Sequence, residues 1–132
     1  MTVFFDTNIL VYAQQSGEKA ETARALLNVG GVISVQVLNE FANVLSRKFR
    51  KPWPEVEDVL ADVLELVELV LPMTLDTHRQ AMQLAAGHAI SIYDALIVAV
   101  ARDGGCEVLY SEDLQLGRRF GEMEVVNPFG ER

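Results

Sequence analysis

Short apolar runs rich in β-branched and aromatic residues alternate along this chain with longer segments whose apolar positions recur at helical spacing. Thr2 to Phe5 reads as a first strand, followed by helices over Asn8 to Gln14 and Glu18 to Asn28; Val32 to Val35, entered through Gly30-Gly31, reads as a second strand. Gln36 to Arg50 is a strongly amphipathic helix, with Val37, Leu38, Phe41, Val44 and Leu45 in one stripe, and Pro52 ends it. Pro54 suits the first turn of a helix from Glu55 to about Glu68. A short strand over Val70 to Met73 follows, then a helix from Asp76 to about Ala89 and a buried one from Tyr93 to Arg102, stopped by Gly104-Gly105. Cys106 to Tyr110 is a further strand, and Glu124 to Asn127 a weaker last one. Strands separated by helices imply a mainly parallel central sheet covered on both faces, a three-layer α/β/α domain. In such sheets sites form at the C-terminal ends of the strands.

Four acidic residues stand in short polar interruptions of this pattern. Asp6 follows Val3-Phe4-Phe5, Glu40 interrupts Val37 to Phe41, Asp94 opens the apolar run Ala95 to Ala101, and Asp113 comes just after Val108-Leu109-Tyr110. A charge beside a core is costly unless something pairs with it. No basic residue lies within a few positions of the first three, so the partner is remote in sequence or a bound cation. Each position also has a purely structural reading. Asp6-Thr7-Asn8 can cap a helix, Glu40 can sit at the wet edge of its stripe, Ser91-x-x-Asp94 is close to a capping box, and Ser111-Glu112-Asp113-Leu114 can be a cap after a strand.

Length and composition bound the rest. A chain of 132 residues, half of them apolar and without repeats or low-complexity stretches, fits one globular domain over residues 1–132. Its longest wholly apolar run, Ala95 to Ala101, is far short of the roughly 20 residues that a membrane helix needs. No basic-then-apolar leader opens the sequence, and a cytoplasmic protein without membrane contact is expected. The single cysteine, Cys106, lies in an apolar strand, which favours a buried small residue over a reactive thiol.

Charge is uneven. Residues 1–51 hold six Lys or Arg against four Asp or Glu, and residues 52–132 hold five against fifteen. The net charge of -8 argues against tight nonspecific binding of nucleic acid, yet leaves room for a nuclease whose carboxylates are neutralised by metal and whose phosphate contacts are few and local. The one basic cluster, Arg47-Lys48-Phe49-Arg50-Lys51, either closes a helix C-terminus or contacts phosphate.

Taken together, Phe5-Asp6-Thr7-Asn8-Ile9-Leu10, Gln36-Val37-Leu38-Asn39-Glu40-Phe41, Tyr93-Asp94-Ala95-Leu96-Ile97 and Ser111-Glu112-Asp113-Leu114 with Gly117 make a pattern of four blocks spanning nearly the whole chain. The chain resembles the PIN-domain ribonucleases, and among them the VapC-like toxins of bacterial and archaeal toxin–antitoxin pairs. The resemblance implies a Mg²⁺ or Mn²⁺ site made by Asp6, Glu40, Asp94 and Asp113, with Asn8 and Ser111 orienting water or the substrate phosphate. It also implies hydrolysis of RNA by metal-activated water, leaving a 5′-phosphate and a 3′-hydroxyl. The implied partners are an antitoxin and a second copy of the chain, for which Ala20 to Val29 and Glu55 to Glu68 offer apolar helical surface.

The chemistry suits these residue types, since hard divalent ions prefer carboxylate oxygen and need neither histidine nor thiolate. His78 and His88 fit poorly as an acid–base pair. Other readings are a housekeeping RNA-processing nuclease, a PIN fold kept for metal binding or protein contacts alone, and a phospho-receiver domain. The last needs a lysine late in the chain, and none follows Lys51.

Overall fold

In a computed structural model describing residues 2–114 and 118–130, the chain opens with β1 (Val3–Phe5), α1 (Thr7–Ala13), α2 (Glu18–Val29), β2 (Val32–Ser34) and α3 (Val35–Arg47). It continues through α4 (Trp53–Leu66), β3 (Leu69–Leu71), α5 (Leu75–His88) and α6 (Ile92–Asp103), and ends with β4 (Val108–Tyr110), β5 (Arg119–Phe120) and β6 (Met123–Val126). Gly117, quoted with the fourth sequence block, lies outside the described residues.

The sheet has the order β3-β2-β1-β4-β6-β5. All neighbours pair in parallel except β5, which is antiparallel to β6. Helices connect β1, β2, β3 and β4 in turn, and the expected mainly parallel α/β sheet is present. Short strands suffice at its centre because they are covered: Phe4, Phe5, Ile33, Leu109 and Val125 are fully or almost fully buried. Gly31 lets β2 come close to β1, since a Cβ there would stand 2.5 Å from the Phe5 ring and 2.9 Å from the Val3 carbonyl oxygen.

Among the helices, α3 buries Val37, Phe41 and Leu45, and every residue of α6 from Ala95 to Ala101 is buried. That explains why α6 lacks an amphipathic pattern: it is covered all round. Cys106 is buried, as its neighbours suggested, and burial pushes its thiol up to about 11. Among the described residues, no single helix is long and apolar enough to cross a membrane.

Several boundaries differ from the periodic reading. The helix expected to run to Arg50 stops at Arg47, because Arg50 takes a left-handed conformation (φ 56°) ahead of Lys51-Pro52. The strand expected over Val70 to Met73 is shifted to Leu69–Leu71, in register with Val32 to Ser34. The hairpin strand β5 was not foreseen. With only two residues it carries no periodicity, and its turn rests on Gly121 at φ 65°.

Candidate active site

The end of β1 becomes the start of α1 within one residue, and that residue is Asp6. Its Oδ1 accepts the Thr7 N–H at 2.7 Å, so Asp6 does cap α1. Its second oxygen points elsewhere: Oδ2 accepts from the Ser111 hydroxyl at 2.6 Å. Ser111 is fully buried at the end of β4, the strand beside β1, and its Oγ also accepts the N–H groups of Asp113 and Leu114. One buried hydroxyl thus joins the ends of two adjacent strands and shapes the turn that presents Asp113.

Asn8, in the first turn of α1, holds that turn from the other side. Its Nδ2 donates to Asp113 Oδ2 at 3.1 Å, and its Oδ1 accepts the Glu112 N–H at 3.3 Å. The Glu40 side chain is fixed at both oxygens: Thr7 Oγ1 donates to Oε1 at 2.7 Å and Gln36 Nε2 to Oε2 at 2.9 Å. Asp94 lies in the first turn of α6, where its N–H donates to the N-cap Ser91 Oγ at 3.0 Å. The capping readings of Asp6 and of the Ser91 to Asp94 segment are therefore correct as local structure, and they leave the carboxylates themselves with further work to do.

Electrostatics ties the group together. Burial pushes Asp6 up to about 7, against the hydrogen bonds from Ser111 and Thr7, and the charges of Glu40 and Asp113 add to the rise. Asp94 is also raised, first by burial and then by Glu40 and Asp113. The same two carboxylates act on both, so the four expected positions share one electrostatic neighbourhood. None of them makes an ion pair among the described residues, where Lys19–Glu112 and Arg119–Glu124 are the salt bridges present. Among those residues, no three acidic, histidine or cysteine side chains close around a common point at coordinating range. The carboxylates are held instead by hydroxyl and amide donors.

A cleft of about 470 Å³ is lined by Thr7, Asn8, Glu40 and Asp113 together with Tyr12, Asn43 and Lys48; Asp6 and Asp94 are not among its lining residues. Glu112, which also lines it, accepts from the Tyr12 hydroxyl and pairs with Lys19. His78 and His88 line no part of the cleft. Sequence reasoning missed Thr7 and Gln36 as anchors of Glu40. The i, i+4 spacing of Gln36 and Glu40 was a usable signal, whereas nothing local in the sequence points Thr7 at a residue 33 positions away.

The fold has counterparts among known proteins. The chain is similar in structure to VapC20 of Mycobacterium tuberculosis, a Sarcin-Ricin loop cleaving toxin, at 26% identity and a TM-score of 0.70 over 85% of this chain and 90% of that one. It is similar in fold to a chain of a toxin–antitoxin complex from Klebsiella pneumoniae (22% identity, TM-score 0.72, 96% and 98% covered). The same holds for a chain of VapBC2 from Rickettsia felis bound to a promoter DNA fragment (20% identity, TM-score 0.70, 95% and 97% covered). Comparison with curated protein sequences finds no match. The family pattern of the PIN domain matches residues 3–120, a span that holds all four acidic positions and nearly the whole sheet, and the chain belongs to the PIN domain family.

Proposed function

We propose that this PIN domain is a divalent-metal-dependent endoribonuclease that hydrolyses RNA phosphodiesters in the cytoplasm as the toxin of a toxin–antitoxin pair. The observation that carries the reading is the set Asp6, Glu40, Asp94 and Asp113: Glu40 and Asp113 line one cleft and their charges act on both Asp6 and Asp94, while none of the four makes an ion pair among the described residues. Uncompensated negative charge beside a core is unfavourable, and a divalent cation relieves it. Oxygen donors alone suit Mg²⁺ or Mn²⁺ better than zinc. When bound, such an ion supplies polarisation of the scissile phosphate and a lowered pKa for the attacking water.

The remaining steps belong to the chain's own residues. Asp6, whose carboxyl burial raises to about 7, would be one of the residues holding the ion, with Glu40, Asp94 and Asp113. Thr7 and Gln36 keep both Glu40 oxygens oriented, and Ser111 does the same for Asp6. Asn8, clamped to Asp113 and to the Glu112 N–H, orients water or a phosphate oxygen at the cleft.

The toxin assignment is supported by the likeness to the Mycobacterium tuberculosis toxin and by apolar surface open to partners. Val29 on α2 and Leu64 and Leu66 on α4 are exposed, and these helices are the surfaces for an antitoxin and for a second copy of this chain. The test is incubation of the purified chain with single-stranded RNA in Mg²⁺, in Mn²⁺ and in EDTA. Fragments ending in a 5′-phosphate should form only with metal. Cleavage that persists in EDTA, or none in either metal, contradicts the proposal.

A further inference from the structure

Glu40 and Asn43 line two clefts at once. One is the cleft that also holds Asp113 and Lys48; the other is lined besides by Gln36, Asn39 and Tyr93. Positions 36, 39, 40 and 43 fall along one side of α3, away from the buried stripe of Val37, Phe41 and Leu45, and Lys48, the residue that closes the helix C-terminus, lines the same cleft as Glu40 and Asn43. From Gln36 to Lys48 the helix rises about 18 Å at roughly 1.5 Å per residue. At roughly 3.4 Å per stacked nucleotide that is the length of about five nucleotides.

The two ends differ in chemistry. Lys48 is exposed and, among the described residues, is the one cation lining the carboxylate cleft, whereas Arg47, Arg50 and Lys51 line a separate surface with Ser46 and Pro52. The structure thus divides the basic cluster, of which Lys48 alone faces the acidic group. At the other end Tyr93, next to Asp94, is 62% exposed, with its ring at the edge of a cleft otherwise walled by amide side chains and Glu40. An exposed tyrosine there offers a π-face to a base, and the amides offer hydrogen bonds to base edges or sugar.

We infer that α3 is the track of a single RNA strand, which crosses Glu40 with one base stacked on Tyr93 and a phosphate further along the strand held by Lys48. This rests on the nuclease reading and assigns the positioning of its substrate. Because the walls are otherwise acidic, Lys48 contributes out of proportion to a single surface lysine, and its neighbours Arg47 and Lys51 do not replace it.

The experiment measures binding of a fluorescent mixed-sequence single-stranded RNA of about fifteen nucleotides, enough to exceed the track, by anisotropy in Ca²⁺ over a range of salt. Cleavage of the same RNA is followed in Mg²⁺. Lys48→Gln should weaken binding severalfold, reduce the slope of log K against log salt by about 0.7, and raise KM with kcat little changed. Tyr93→Ala should weaken binding roughly tenfold, with Tyr93→Phe restoring it. Arg47→Gln is the control and should bind as the parent does. If the parent binds and cleaves while either Lys48→Gln or Tyr93→Ala matches it, the track is wrong; if the parent neither binds nor cleaves, the nuclease reading itself fails. Lys48→Arg, which keeps the charge, should retain parental binding and separates loss of a phosphate contact from loss of structure.

Discussion

The Ser111 hydroxyl donates a 2.6 Å hydrogen bond to Asp6 across 105 residues of sequence, and both groups are buried. The same oxygen accepts two N–H groups of the turn carrying Asp113. Ser111→Ala therefore strips a buried carboxylate of one donor and leaves two backbone donors without their acceptor. Stability should drop by about 1–3 kcal/mol in urea denaturation. Metal affinity should fall by roughly 10–100-fold, the usual cost of losing a group that orients a ligand. A variant as stable as the parent, with unchanged metal titration, would remove Ser111 from the site.

Stability without metal should fall as pH rises between about 4 and 7. Asp6 titrates at 3.8 when unperturbed and at about 7 when folded, so the folded state binds the proton more tightly. The resulting stabilisation is complete below the unfolded value and is lost as pH climbs through the folded one; Asp94 is raised in the same direction. Each tenfold difference in proton affinity between the folded and unfolded chain is worth about 1.4 kcal/mol, which makes the effect on the order of a few kcal/mol. Urea titrations in EDTA across this range check it, and Asp6→Asn should flatten the trend. A parent that grows more stable toward pH 7 in EDTA contradicts the buried, raised carboxyl.

The chain should sediment as a homodimer at micromolar concentration. Part of the apolar stripe on α4 is core, since Val56, Val63 and Val67 are buried. Leu64 and Leu66, with Leu69 on the edge strand β3, remain 49%, 41% and 55% exposed. Leu64 is half exposed and lies outside the buried core, so Leu64→Glu should leave folding within about 0.5 kcal/mol of the parent while yielding monomers. A parent that is already monomeric defeats this prediction.

The alternation of strands and helices was legible in the sequence because periodicity reports burial directly. Val37, Phe41 and Leu45 fall on one stripe, and Ala95 to Ala101 read as a covered helix. The ends of elements were less legible, since Arg50 leaves the helix through its own backbone conformation and β5 is too short to show a pattern. At the site, the acidic residues could be singled out because each breaks an apolar run. Their supports could not all be found this way: Thr7 reaches Glu40, and Ser111 reaches Asp6, only after distant segments are brought together by the parallel sheet. At Asp6 the capping reading describes only one oxygen: Oδ1 caps α1, whereas Oδ2 accepts from Ser111 at the end of the neighbouring strand.

The most direct measurement is the melting temperature and RNA cleavage of Asp94→Asn beside the parent, with and without Mg²⁺ or Mn²⁺. Asparagine keeps the size of Asp94 and leaves the N–H that Ser91 accepts, while removing a charge that Glu40 and Asp113 disfavour. Without metal the variant should be at least as stable as the parent. With an ion at about a hundred times its dissociation constant the parent should gain roughly 2.7 kcal/mol, and the variant much less. Cleavage in the variant should be lost. A folded Asp94→Asn chain that is stabilised by metal as the parent is, and that degrades RNA at the parental rate, would contradict a metal-dependent nuclease built on these four carboxylates.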